Sequence, residues 1–336
     1  MSASDTRFPN PSHIAEPHPM RFQVTHLTQD GWDKVRLQDT LTGCCADIVP
    51  AAGAILNAFS IPTPDGTCNV VDGFRDAADW RERLGQGFHS AKLSPFVCRL
   101  KDSSFDWNGR THTVSKFRLH GTAIHGILYD APFHILEEAV HADFAELELK
   151  YAYPGDVEGY PFAYDCLIRY RLETGNTLLV STAVHNRSRE TIPMSDGWHP
   201  YFTLGGSIDR LSLQFHASHM LEYDAAVLPT GRLLPHDHWR QPRTLGDTFL
   251  DNGFVLDTGH PQPACTLSDP ETGISLSFLP EAAYPYLQIY TPPHRRSIAI
   301  ENLSAAPDAF NNGIGLTRLE PDHTRTYSLR YRIDRP

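Results

Sequence analysis

The stretch Phe144-Ala145-Glu146-Leu147-Glu148-Leu149-Lys150-Tyr151 decides the fold class. Its odd-numbered positions are apolar and most of its even-numbered ones are charged, a period of two that puts one face of a strand in a core and the other in water. Two neighbours extend the pattern. Cys166-Leu167-Ile168-Arg169-Tyr170-Arg171-Leu172 follows a loop rich in Pro and Gly, and Thr177-Leu178-Leu179-Val180-Ser181-Thr182-Ala183-Val184 follows the turn Glu173-Thr174-Gly175-Asn176. Such short connections join antiparallel neighbours. Upstream, Phe105-Asp106-Trp107 and Thr111-His112-Thr113-Val114 flank Asn108-Gly109, a pair suited to the positive φ angles of a tight hairpin. Helical periodicity is scarce; the exception is Ala77–Leu84, whose good helix formers stop before Gly85. The pattern predicts an all-β protein, a large antiparallel β-sandwich with few short helices.

Composition narrows the functional classes. The chain has 336 residues, a net charge of -11 and a pI near 5.9, which leaves no overall basic excess for a nucleic-acid backbone. No apolar run approaches the roughly 20 residues of a membrane-spanning helix, and Ser2-Ala3-Ser4-Asp5-Thr6-Arg7 has no signal-peptide core, so a cytoplasmic protein without nucleic-acid or membrane partners is expected. Six cysteines, two of them adjacent at Cys44 and Cys45, read as free thiols. Eighteen histidines raise the question of a metal, but they occur as pairs such as His120 and His125 without a set of three or four ligands, and no metal site is expected. Residues 1–20, rich in Pro, Ser and His, read as an N-terminal arm; residues 21–336 contain no repeat or linker and read as a single β-sandwich domain.

Two segments place a proton-transfer group inside an apolar run: Trp198-His199-Pro200-Tyr201-Phe202 and Ser297-Ile298-Ala299-Ile300-Glu301-Asn302-Leu303. Imidazole titrates near neutrality and can deliver a proton; a buried carboxylate has its pKa raised toward the range of a general base. Each also has an ordinary explanation, a structural histidine bonded to backbone or a structural ion pair. In an extended run Glu301 shares a face with Ala299 and Leu303, opposite Ile298, Ile300 and Asn302.

Together and in this order, the segments resemble the aldose 1-epimerase (galactose mutarotase) family. Trp198-His199-Pro200-Tyr201-Phe202-Thr203-Leu204 is similar to that family's Asn-His-x-Tyr-Phe-Asn-Leu, with Trp198 and Thr203 as departures. Ile300-Glu301, running on to Pro307-Asp308-Ala309-Phe310-Asn311, is similar to its Leu-Glu segment with Pro-Asp-Ala-x-Asn. Arg99 in Val97-Cys98-Arg99-Leu100, His125 in Ala123-Ile124-His125-Gly126, and Asp251 in Leu250-Asp251-Asn252-Gly253-Phe254 look like its sugar-binding positions. Leu119-His120-Gly121 competes with His125; spacing from Arg99 favours His125 and leaves His120 as a second ligand or a structural histidine. The likeness runs from about Asp47 to Tyr331. It implies the galactose mutarotase-like supersandwich and interconversion of the α and β anomers of a hexose, with His199 as acid, Glu301 as base and no cofactor, in a monomer or homodimer. The alternatives are a hexose-6-phosphate mutarotase, for which Lys92, Lys101, Arg110 and Lys116 are candidate phosphate ligands, a non-catalytic carbohydrate-binding or sensor protein, and a structural or interaction protein with a vestigial cleft.

Overall fold

The computed structural model describes residues 20–29, 31–119, 121–257, 259 and 262–336; the N-terminal arm up to Pro19 and His120 lie outside the described residues. The three strands expected from alternation are Phe144–Tyr153, Tyr164–Glu173 and Thr177–Asn186, paired antiparallel in that order. They form part of a nine-stranded sheet that continues through the C-terminal strand Thr324–Asp334 to an edge at Arg243–Thr244. The predicted hairpin is present, with Asn108 and Gly109 at φ 49° and 73°. All six cysteines are free.

A second sheet lies against the first. Its order is Pro229–Pro235, Ala217–Tyr223, Asp251–Leu256, Tyr286–Tyr290, Ile298–Leu303, Gly197–His199 and Ala91–Leu93, with Tyr201–Phe202 also paired to Ile298–Leu303. The two sheets meet through aromatic rings: Trp198 packs on Tyr170, and Phe202 packs edge-on against Phe278 and beside Tyr331. Ile298 and Ile300 join this main core, whereas Leu303 belongs to a smaller apolar cluster with Ala91, Leu93, Val97 and Phe88. The strand is therefore buried on both faces, one in the inter-sheet core and one beneath covering segments. A further five-stranded sheet, from Phe22–Gln29 to Gly66–Asn69, adds to the main core through Phe22, Leu37 and Phe59.

The helix spans Ala77–Gly87, three residues beyond the expected stop. Its end is set by Phe88, whose left-handed backbone, φ 53°, lets its N–H return to the Leu84 carbonyl. Gly85 remains helical where the ring of Phe117 closes on it, a contact that a Cβ would meet at 3.0 Å. At the start, Asp76 caps the N–H of Asp79, and the buried Asp79 carboxylate binds both Arg75 and Arg83. Those two guanidiniums hold its carboxyl down, at about 2, against the opposing effect of burial.

Beneath the strand Gly197–His199 lies a fully buried ion pair, with Lys92 Nζ 2.6 Å from an Asp196 carboxylate oxygen. The ammonium also donates to the Gly197 carbonyl and sits 4.5 Å from the centre of the Trp198 ring, while the Tyr284 hydroxyl donates to Asp196. Lys92 is thus committed to the core, and Lys116 pairs with Asp130. The side chains of Lys101 and Arg110 belong to an exposed turn and the hairpin. None of these four cations, the candidates for phosphate under the alternative hexose-6-phosphate reading, lines either cleft. Replacing one partner of a buried pair strands the other charge without water, so Asp196→Ala is expected to lower the unfolding free energy by about 3–5 kcal/mol. Urea denaturation checks this; a loss under about 1 kcal/mol would mean that Lys92 does not depend on that carboxylate.

Candidate active site

Sheet register builds the floor of the site. Gly197 pairs with Leu303, and Tyr201 with Ala299. One continuous antiparallel register satisfies both pairs and sets His199 opposite Glu301, with Pro200, which has no N–H to offer, between the two paired segments. Glu301 in turn pairs with Gln288, and Gln288 with Gly253. The row Gly253, Gln288, Glu301, His199 therefore crosses four strands, and two residues along each strand lies a second row on the same face: Asp251, Tyr290, Ala299, Tyr201.

The side chains follow from this lattice. His199 Nε2 lies 3.3 Å from Glu301 Oε1. His199 is 6% exposed and Glu301 2%. Gln288 donates its amide to Asp251 at 2.9 Å and accepts the Tyr223 hydroxyl at 2.9 Å. Gly253 makes that last contact feasible, because a Cβ there would stand 2.2 Å from the Tyr223 oxygen. The His199 ring lies against Tyr201, which is itself stacked on His89 with centroids 4.1 Å apart.

A separate small sheet supplies the other wall. Arg99–Leu100 pairs with Thr122–Ile124, and the chain then turns at His125, φ 63°, whose N–H returns to the Cys98 carbonyl. The His125 ring meets His199 edge-on at 4.7 Å and packs beside Phe88 at 4.8 Å. The segment after Glu301 secures this wall: Asp308 donates its N–H to the Arg99 carbonyl, and its carboxylate accepts the Lys101 N–H and the Asn311 amide. The Pro-Asp-Ala-x-Asn pattern is thereby explained as a clamp on the backbone of Arg99.

Arg99, His125, His199, Asp251 and Glu301 all line one cleft of about 230 Å³, together with Gln288, Tyr223, Tyr290 and the helix end Gln86-Gly87-Phe88. The five expected positions are brought together; His120 is outside the described residues. Gln288 and Tyr223 were missed. The available signal was the polar Gln288 between Leu287 and Ile289, on the same face as Tyr286 and Tyr290.

Electrostatics favour a neutral pair. Burial pushes Glu301 well above its ordinary value, with the nearby Asp251 charge adding to the effect, and burial pushes His199 down to about 3. Between those limits the pair holds one acidic proton. Moving it from carboxyl to imidazole changes the location of charge but not the proton count, so the same state can present a base and an acid once a polar solute intervenes. His125 is pushed down by burial and by its cationic-capable neighbours, and stays a neutral ring. Asp251 is raised by burial and drawn back by Arg99 and by the Gln288 amide. Buried polar atoms are left over: Glu301 Oε2 and His125 Nδ1 have no hydrogen-bond partner among the described residues. Leftover donors and acceptors around a small polar cleft suit a ligand dense in hydroxyls.

Comparison with known proteins bears on the family and the fold. The protein is 23% identical to the aldose 1-epimerase of Streptococcus thermophilus over 318 residues, covering 83% of this chain and 88% of that one. It is 26% identical to the Escherichia coli K12 protein YihR over 238 residues, covering 68% and 73% respectively. A galactose mutarotase-like protein from Clostridium acetobutylicum superposes with a TM-score of 0.81 at 16% identity, over 94% of this chain and 99% of that one, which establishes the galactose mutarotase-like sandwich. The family model for aldose 1-epimerase matches residues 33–332, nearly the whole chain, and the protein belongs to the aldose 1-epimerase family.

Proposed function

We propose that the protein interconverts the α and β anomers of a hexose, with His199 as the acid and Glu301 as the base. The observation that carries this reading is the dehydrated pair, 3.3 Å apart, on the floor of a cleft walled by polar side chains. In the productive state the Glu301 carboxylate takes the proton of the anomeric hydroxyl. The C1–O1 linkage becomes a carbonyl, the bond from C1 to the ring oxygen breaks, and the ring oxygen takes the proton of the His199 imidazolium. Rotation about the C1–C2 bond presents the other face of the aldehyde, and the reverse transfers close the ring. The pair ends with the proton count it began with. These steps call on neither a metal nor an organic cofactor. Arg99, with up to five donors in a planar fork, and the Asp251–Gln288 pair hold the remaining hydroxyls, and His125 closes the wall.

Saturation transfer between the anomeric proton resonances of glucose and galactose measures the reaction directly. His199→Ala and Glu301→Gln are each expected to lower kcat by on the order of 10²–10⁴-fold. A folded variant of either kind that retains wild-type exchange would remove the role assigned to that residue. Glu301→Gln also has a stability signature with a definite sign. The folded pKa of Glu301 is raised, so its contribution to stability is fully present below the unfolded carboxylate value and diminishes as pH rises toward the folded value. The Gln variant has no such loss and is expected to gain stability over the wild type as pH increases above about 4.3.

The pH profile of kcat/KM tests the shared proton. The active free enzyme holds one proton between His199 and Glu301, so the rate is expected to fall on the acid side as a second proton enters near the depressed His199 value of about 3, and on the alkaline side only well above the ordinary carboxylate range. A narrow bell bounded at about 4.3 and about 6.5, the values of unburied Glu and His, would contradict the neutral pair.

A further inference from the structure

Beside the cleft opens a larger chamber of about 780 Å³. The two share walls at Gln86, Gly87, Tyr201 and Tyr290. Gly87 stands where they meet: a Cβ there would press to 2.8 Å from the His89 ring, and Tyr201, which stacks on that ring, separates the chamber from His199. The two spaces are therefore neighbours across Tyr201 and Tyr290, the side from which a substituent on a ligand at the His199–Glu301 pair would face the chamber.

The chamber is cationic in a protein whose net charge is -11. Arg75, Arg83 and Arg296 line it, against Asp72 and Asp79. Asp79 is already satisfied by Arg75 and Arg83, and Asp72 accepts the Ser297 hydroxyl at 2.6 Å. Arg296, next to the start of the Glu301 strand, has no side-chain hydrogen bond or ion pair among the described residues. His294 lies within the field of both Arg83 and Arg296, which lower its proton affinity together with burial, so the two guanidiniums bear on one space. A guanidinium with unused donors is a fork matched to phosphate or carboxylate oxygens, which it can hold bidentately.

We propose that this chamber receives an anionic group, phosphate or carboxylate, carried on the end of the aldose remote from its anomeric carbon, with Arg296 and Arg83 as its ligands. The inference rests on the mutarotase reading for the placement of the anomeric carbon. It assigns the charge-reading role to residues other than Lys92, Lys101, Arg110 and Lys116, and makes the preferred substrate a sugar phosphate or a sugar acid.

Anomeric exchange of glucose, glucose 6-phosphate and glucuronate, measured for the wild type and for Arg296→Gln, is the test. Arg296 is exposed and has no partner to lose, so the variant is expected to fold. At least one anionic sugar is expected to show the higher kcat/KM in the wild type, with the advantage shrinking as salt is added. Arg296→Gln should reduce kcat/KM for that sugar by about tenfold or more and leave glucose unchanged. Preference for glucose 6-phosphate alone or glucuronate alone identifies which anion the chamber takes. Equal kcat/KM for all three sugars, unaltered by the substitution, would overturn the proposal while leaving the mutarotase reading intact. Calorimetric titration of glucose 6-phosphate and glucuronate into Glu301→Gln, with and without Arg296→Gln, reads the chamber without turnover. Arg296-dependent binding, combined with a wild type that exchanges no aldose, would retain the anion site and reject the mutarotase reading; no binding of either anion would reject the site.

Discussion

A carboxyl group excluded from water beside an imidazole is the constraint to which the rest of the molecule is fitted. Among the described residues no ammonium or guanidinium pairs with Glu301 to keep it ionised, and desolvation of an isolated carboxylate would cost several kcal/mol, so it keeps its proton and depends on His199 as a partner of matched need. Maintaining that arrangement demands a dry floor and a fixed separation. A β-sheet supplies both, since side chains two apart on one strand and opposite on the next occupy a lattice whose spacing the backbone sets. The inter-sheet core, with Phe202, Ile298 and Ile300 fully buried, anchors the other face of the same strands and prevents a register slip that would turn Glu301 into the core.

Support comes in at two levels from charged groups that the sequence shows only as isolated letters. Below the floor, the Lys92–Asp196 pair ties the strand before His199 to Tyr284. Beside it, Asp308 clamps the Arg99 backbone, so the carboxyl strand and the arginine wall are joined by a single turn of chain. Lys92 shows the difficulty of reading such residues in advance. A lysine near a cleft is ordinarily solvated, and only the meeting of Ala91–Leu93 with Gly197–His199 makes this one a buried cation.

What was legible in the sequence had a periodic or chemical signature. Alternation in Phe144–Tyr151 marked a strand, Asn108-Gly109 marked a turn, and Glu301 stood out as the lone charge in an apolar run; family likeness then connected it to His199, Arg99, His125 and Asp251. What was not legible depends on contacts between segments distant in the chain. Gln288 is an unremarkable amide until Gly253 on the next strand leaves room for the Tyr223 hydroxyl. Arg83 and Arg296 are ordinary surface arginines until a helix end and the entrance to a strand bring them to one chamber. The helix overran Gly85 because tertiary packing and the left-handed turn at Phe88 set its end, and a weak helix former is tolerated where packing decides.

The row of Gly253, Gln288, Glu301 and His199 also has a consequence for how the molecule matures. Gln288 and Glu301 come from consecutive strands, but Gly253 and His199 come from strands far from them in the chain, and Ala91, on the strand beyond His199, lies farther still from Gly253 in sequence. No local fragment contains the whole row, and the entropy of closing long loops must be met before Gly253 and His199 can join the Gln288–Glu301 pair. The cleft therefore comes into being only with the completed sheet. A nascent or half-assembled chain holds Glu301 in water as an ordinary carboxylate, so the chemistry is silent until the architecture is whole, and activity serves as a report on the final stage of assembly.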